Sequence, residues 1–222
     1  MPTQGGGMEI IMGIIYTIAV GVIAYLIGSI NSSILISRAV MGKDIRTSGS
    51  GNAGATNMLR TMGKKYAIIT LVIDILKGVV ALLLAKLAIH LGAGNVAMYV
   101  SGVAVVVGHN FPVFFGFKGG KGVATSLGVV LLLDWKIGLI TLLIAIAIMA
   151  LTRYVSLGSI VAAVVFMILQ IISMAVNGEF DITRLICVII LGGLLIVRHR
   201  ANIARLIKGE ENKLGHKKET KV

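Results

Sequence analysis

Four short stretches of this 222-residue chain gather the side chains that could bind a phosphate-bearing substrate. The first, Thr47–Met58, reads TSGSGNAGATNM and packs Ser50, Gly51, Asn52, Thr56 and Asn57 together, with Arg60 two residues on. Backbone amides opened by glycines, beside an arginine, suit a phosphate. The second, Gly108–Ser126, carries Lys118, Gly119, Gly120 and Lys121 just before an apolar run. Amides at a helix start, the positive end of the dipole and a lysine make an anion site. His109 in the same stretch reads as an interfacial polar residue. The third, Arg153–Ser159, sets Ser156 and Ser159 three apart on one helical face, where serines also serve as partners for helix-end backbone. The fourth sets His199 and Asn202 three apart, with Arg205 three residues further on. Inside an apolar run, Asp74 and Lys77 are also three apart and read as a structural ion pair, because charges within a membrane are costly and pair.

Several familiar chemistries are excluded. Gly49, Gly51 and Gly54 fit G-x-G-x-x-G, but the strand and βαβ unit that a dinucleotide site needs are missing. Gly116 is followed by four residues and then Lys121, where a P-loop requires a second glycine. Asp44, Glu210, Glu211 and Glu219 are scattered, so a metal-dependent phosphotransferase of the CDP-alcohol type has no ligand cluster. Five residues after the four histidines stand Asn95, Phe114, Ala204 and Lys221, which removes the His-x4-Asp acyltransferases. No G-x-S-x-G elbow occurs. The remaining possibility is a polycationic, glycine-rich and hydroxyl-rich site with few bases. It suits substrates that arrive activated and carry phosphate themselves, and it implies no metal and no cofactor.

The elements that must position these stretches are membrane helices. Hydrophobic residues make up 57% of the chain and charged residues 14%, far from the soluble average. Seven apolar segments predict an all-α polytopic bundle in a single domain: Ile10–Val40, Ala67–Ile89, Val96–Gly108, Gly122–Leu133, Ile137–Leu151, Leu157–Val176 and Leu185–Val197. The third to fifth fall short of the ~20 residues of a straight span, which suggests helices that begin or end beside a cavity. Asp134-Trp135-Lys136 separates the fourth from the fifth, because a single span would leave both charges near the membrane centre at about 2.5–3.5 kcal/mol each. With the N-terminus outside, seventeen of the 21 Lys and Arg fall on the inner side. Lys86, Lys136 and Arg184 face outward, and Lys77 lies within a span. The positive-inside rule therefore puts the C-terminus and all four stretches in the cytoplasm. Residues 1–8 read as a flexible leader, the first apolar block as a retained span rather than a signal peptide, and 210–222 as a polar tail. The net charge of +12 points to anionic lipid, not nucleic acid, since few aromatics accompany the basic residues. The lone Cys187 allows no internal disulfide. An anion transporter is the rival class, favoured by short spans and Asp74–Lys77. Against it stand the missing internal repeat and donors gathered at one face.

The strings GSGNAGATN, GHNFPVFFGFKGGKGVAT, RYVSLGS and RHRANIARL, in this order, closely resemble the bacterial acyl-phosphate:glycerol-3-phosphate acyltransferases over nearly the whole chain. That resemblance implies a bacterial inner-membrane enzyme of seven spans with cytoplasmic motifs, acting at the first committed step of phospholipid synthesis. It implies transfer of a fatty acyl group from acyl phosphate to glycerol 3-phosphate, giving lysophosphatidate and inorganic phosphate. Carried over motif by motif, it implies Ser50, Gly51, Asn52, Thr56 and Arg60, then Gly119, Gly120 and Lys121, then Ser156 and Ser159, then His199 and Asn202. Ala201 stands where relatives often carry Glu, so the role of that carboxylate is open. The expected partners are the two substrates and membrane lipid, with the enzyme that makes acyl phosphate as a candidate neighbour. Because bases are scarce, the donor's phosphate is expected to take the proton itself, leaving the protein to position substrates and stabilise charge. The glycine-rich loops would hold the donor phosphate. Arg60, Lys121 and His199 would hold the glycerol phosphate, oriented by Asn202 and Ser159.

Overall fold

The apolar blocks become helices because in lipid only a helix satisfies every backbone group within one segment. A computed structural model describes residues 5–215, and its regular structure among these residues is entirely helical. The helices are α1 (Gly5–Ser29), α2 (Ser32–Met41), α3 (Ala55–Thr61), α4 (Lys64–His90), α5 (Val96–Asn110), α6 (Val123–Leu133), α7 (Trp135–Thr152), α8 (Val155–Asn177), α9 (Ile182–Arg198) and α10 (Arg200–Ile207). Five spans are long and apolar enough to cross a membrane, the first combining α1 with α2 over Gly7–Met41. A sixth arises if α9 and α10, bent by 55°, count together. Helix α6 has 11 residues, or about 16 Å, roughly half of a hydrocarbon core.

Several boundaries differ from those read in the sequence. Gly5–Met8, expected in a leader, already belong to α1, and residues 1–4 lie outside the described part. The single first block is broken at Ile30–Asn31, where the Asn31 side chain accepts from Ile34 N at 3.2 Å and caps α2. The fifth segment is not short, since α7 has 18 residues. The division at Asp134 stands: its carboxylate caps α7 by accepting from Ile137 N at 3.1 Å, and it lies 3.6 Å from Arg184.

Without a hydrophobic force between helices in lipid, close approach of backbones supplies the packing. Two reciprocal glycine pairs do this. A Cβ on Gly28 would lie 2.1 Å from Val105 O, and one on Gly108 would lie 2.2 Å from Tyr25 O, so α1 and α5 meet backbone to backbone. Gly78 and Gly128 join α4 to α6 in the same way, at 2.5 Å from Thr125 O and 2.2 Å from Ile75 O. Around this centre Leu82, Val105, Val106, Val129 and Leu191 are buried, while Ile18, Leu83, Ile146 and Ile168 are exposed to lipid. The loops after α2, α5 and α7, and the chain after α9, gather at one end.

Candidate active site

The loop before α3 is organised by Asn57, which is buried. Its Oδ1 accepts from Ser50 N at 2.8 Å, and its Nδ2 donates to Ile45 O at 3.2 Å and Ser48 O at 3.0 Å. Gly49 sits at φ +60°, and a Cβ there would lie 2.3 Å from Asn57 Oδ1, so only glycine fits. The side chains of Ser50, Asn52 and Thr56 make no hydrogen bond among the described residues and remain open to a ligand. Arg46 joins this loop to the next by donating from Nη1 to Phe115 O and Lys118 O, both at 2.8 Å. Its other edge binds Asp44, whose carboxyl the Arg46 guanidinium holds well below the usual carboxylate range.

The Gly119–Lys121 loop is packed rather than open, which corrects one expectation. Gly119 N donates to Asn110 O at 3.2 Å and Gly120 N to His109 O at 3.1 Å, so neither amide is free to cradle a phosphate. The two glycines are required for close approach. A Cβ on Gly119 would lie 2.0 Å from His109 O, and one on Gly120 would lie 2.1 Å from His109 Nε2 and 2.6 Å from Ala53 O. Arg198 clamps the same loop, donating to Gly120 O at 2.9 and 3.2 Å and to Gly119 O at 3.2 Å, while its guanidinium lies 5.1 Å over the Phe111 ring. The loop offers a ligand the Lys121 side chain and the first turn of α6, entered through Gly122 at φ +82°. The Lys118 side chain is exposed, and only its carbonyl is engaged, by Arg46.

Three of the four stretches converge on Glu211. Lys121 Nζ donates to Asn202 Oδ1, and Asn202 Nδ2 donates to Glu211 Oε1 at 2.8 Å. Ser156 Oγ donates to the same oxygen at 3.1 Å, and Arg205 Nε donates to Glu211 Oε2 at 2.7 Å. Burial would raise the Glu211 pKa, but these hydrogen bonds outweigh it and hold the carboxyl below its ordinary value. Lys121 is half-buried, and burial lowers its pKa to about 8, helped by Arg205, Arg60 and Arg198 and opposed by Glu211. Arg60 thus shares the same field without touching Lys121. The 55° bend after α9 brings His199 here. Its Nδ1 lies 2.9 Å from Leu195 O, and a carbonyl only accepts, so Nδ1 carries a proton and Nε2 is left for substrate. Ser159 is buried and donates to Val155 O at 2.9 Å within its own helix, so it joins the site without bridging to the others. Ser50, Gly51, Asn52 and Thr56 reach the site through the packing of Ala53 O against Gly120.

Glu211, Arg198 and Arg46 had not been singled out as site residues in the sequence, and Asn57, read there as a donor to ligand, is spent on its own loop. The expected polar tail is a strap in its first part: Leu214 N donates to Arg153 O at 2.8 Å, and Lys213 lies 5.4 Å over Tyr154. Residues 216–222, with Glu219, lie outside the described part. A carboxylate does stand beside Asn202, supplied by Glu211 and not by position 201. The one signal in the sequence was a glutamate shortly after the His199–Asn202 pair, but its nine-residue separation from Asn202 has no helical meaning.

The "Glycerol-3-phosphate acyltransferase" family model matches residues 18–209. The chain is 46% identical over 206 residues to a glycerol-3-phosphate acyltransferase of Thermoanaerobacter sp. (strain X514), covering 93% of this chain and all of that one. It is 47% identical over 195 residues to glycerol-3-phosphate acyltransferase 1 of Deinococcus radiodurans, covering 88% and 94%. A crystal structure of an integral membrane glycerol 3-phosphate acyltransferase in its glycerol 3-phosphate form is similar with a TM-score of 0.80 and 40% identity, covering 90% of this chain and 96% of that one. The lysophosphatidic acid form of that enzyme gives a TM-score of 0.77 and 38% identity, covering 90% and 95%.

Proposed function

Since this chain belongs to the glycerol-3-phosphate acyltransferase family, we propose that it moves a fatty acyl group from an acyl phosphate to the 1-hydroxyl of glycerol 3-phosphate. The carrying observation is charge. Arg60, Lys121 and Arg205 share one field with a single carboxylate among the described residues, Glu211, whose oxygens already accept from Ser156, Asn202 and Arg205. Such a site binds phosphates and supplies no free carboxylate base. The donor's own phosphate therefore takes the proton as the 1-hydroxyl oxygen attacks the acyl carbon. The bond between the acyl carbon and the bridging phosphate oxygen breaks, and inorganic phosphate leaves with that proton. The side-chain cations do the neutralising, so the proposed reaction needs no metal. Lys121 and the first turn of α6 hold the donor phosphate, beside the open side chains of Ser50, Asn52 and Thr56. Arg60 takes the glycerol phosphate. His199, anchored through Nδ1, orients a glycerol hydroxyl on Nε2 in place of the anion-binding role first expected of it. The same anchoring supports a second reading, in which Nε2 accepts the proton.

The bundle then has seven spans with α6 as a short one, the N-terminus outside, and the site end in the cytoplasm of a bacterial inner membrane. Lys43, Arg46, Lys64, Lys65, Arg198 and Arg205 at the site end support this sidedness. The acyl chain lies between helices and enters from the lipid. The transporter alternative falls away with membership of an acyltransferase family.

The test mixes purified protein with an acyl phosphate and glycerol 3-phosphate and measures phosphate release. Release should need both substrates, and lysophosphatidate formation, measured alongside, should fail with an acyl thioester donor. Equal turnover with the thioester, or none with acyl phosphate, would sink the donor assignment. Arg60→Ala and Lys121→Ala should abolish turnover without preventing insertion. A His199→Ala enzyme that keeps kcat but loses glycerol 3-phosphate affinity supports hydroxyl orientation over the base role.

A further inference from the structure

Beneath the site lies a buried polar cluster that the transfer reaction does not use. Lys77 Nζ contacts Asp74 Oδ1 at 3.0 Å, His109 Nδ1 at 2.7 Å, Gly28 O at 3.2 Å and Ile30 O at 3.3 Å. Ser32 Oγ donates to Asp74 Oδ1 at 3.0 Å. Asp74, Lys77 and His109 are each no more than 6% exposed. Part of this is structural: α1 ends at Ser29, its last carbonyls need partners in an apolar surrounding, and the lysine ammonium supplies them. The contact with His109 goes further. An ammonium has no acceptor, so Lys77 donates to Nδ1, and a neutral imidazole must carry its proton on Nε2. That edge of the ring lies against Gly120, where a Cβ would come within 2.1 Å of Nε2 and 2.9 Å of Cε1. The imidazole therefore occupies the space a side chain on Gly120 would fill, one residue before Lys121. The first loop is tied to the same place, because Asn31 at the helix break points Nδ2 at Ala53 O, 3.5 Å away, and that carbonyl also abuts Gly120.

We propose that the buried Asp74–Lys77 pair, acting through His109, positions the Gly119–Lys121 loop for acyl transfer. The inference rests on placing the reaction at Lys121. His109 is a positioning residue that touches no substrate. Its ring braces the loop from below while Arg198 holds the loop carbonyls.

Two substitutions separate bracing from folding. His109→Asn keeps an oxygen where Nδ1 accepts from Lys77 but removes the edge against Gly120. His109→Gln places an amide nitrogen near the position of Nε2. With acyl phosphate and glycerol 3-phosphate as substrates, His109→Asn should lower kcat about 10- to 100-fold, as expected for a displaced lysine. Its thermal midpoint in detergent should stay near that of the parent, and His109→Gln should recover most of the loss. Nitrogen-15 histidine spectra of the unsubstituted protein should show His109 protonated on Nε2, a readout independent of any variant's folding. The inference is overturned if His109→Asn keeps the parental kcat, if activity falls only in proportion to folded protein, or if Nδ1 carries the proton. Lys121→Ala is measured alongside. Activity retained there overturns the placement of the site and this inference together, whereas activity lost there but kept in His109→Asn overturns this inference alone.

Discussion

Lys121 should impose an alkaline limb on kcat/KM near pH 8. Under the proposed function its ammonium form is the one that binds phosphate, and burial lowers its pKa from 10.5 to about 8. The charged form is favoured below that pKa, so binding is lost as pH rises through it. The charged fraction falls from about nine-tenths at pH 7 to about one-tenth at pH 9, a drop of about tenfold in kcat/KM, which reports the free enzyme. The second ionisation of the donor phosphate, near pH 6, is about nine-tenths complete by pH 7 and changes little above it. The Glu211 carboxylate raises the Lys121 pKa, so Glu211→Gln should shift the limb to lower pH. Lys121→Arg should remove the limb, because a guanidinium stays charged, while lowering the rate through altered geometry. The assay is initial phosphate release at low acyl phosphate and saturating glycerol 3-phosphate, in zwitterionic micelles that carry no anionic surface potential. A flat kcat/KM between pH 7 and 9, or an unchanged limb in Lys121→Arg, would refute the reasoning.

Arg198→Lys should lower kcat about 10- to 100-fold with little change in thermal midpoint, because an ammonium cannot hold Gly119 O and Gly120 O with a planar fork. Parental kcat in that variant would show that the clamp is dispensable. Gly28→Leu should destabilise the bundle by about 1–3 kcal/mol, read as a lower thermal midpoint in detergent, because its Cβ would lie 2.1 Å from Val105 O. Gly193→Ala, which meets nothing within 4 Å, is the control and should leave the midpoint unchanged.

The division of the apolar blocks into helices was readable because hydropathy and charge are local. Asp134 between two runs required a turn whatever lay around it, and Asp74 three residues before Lys77 required a pair. The break at Ile30–Asn31 was not read in the sequence. No proline marks it, and the short polar stretch around it, Gly28-Ser29 and Asn31-Ser32-Ser33, sits within a longer apolar run. It persists because Lys77, 47 residues from Ile30, donates to the freed carbonyls, and Asn31 caps α2. The motifs likewise pointed to Lys121, Ser156, His199 and Asn202, but the carboxylate joining them was hidden in a charged tail.

The amino-acid sequence by itself determined a helical membrane bundle, the four polar stretches and the cations suited to phosphate, since periodicity, charge and residue type act within a few positions. Folding in three dimensions settled which glycines serve packing and which amides stay open. It also turned two expected topogenic arginines, Arg46 and Arg198, into clamps and brought Glu211 to Lys121 through Asn202. Those outcomes depend on carbonyls, helix ends and backbone approaches far apart in the chain, which no local pattern encodes.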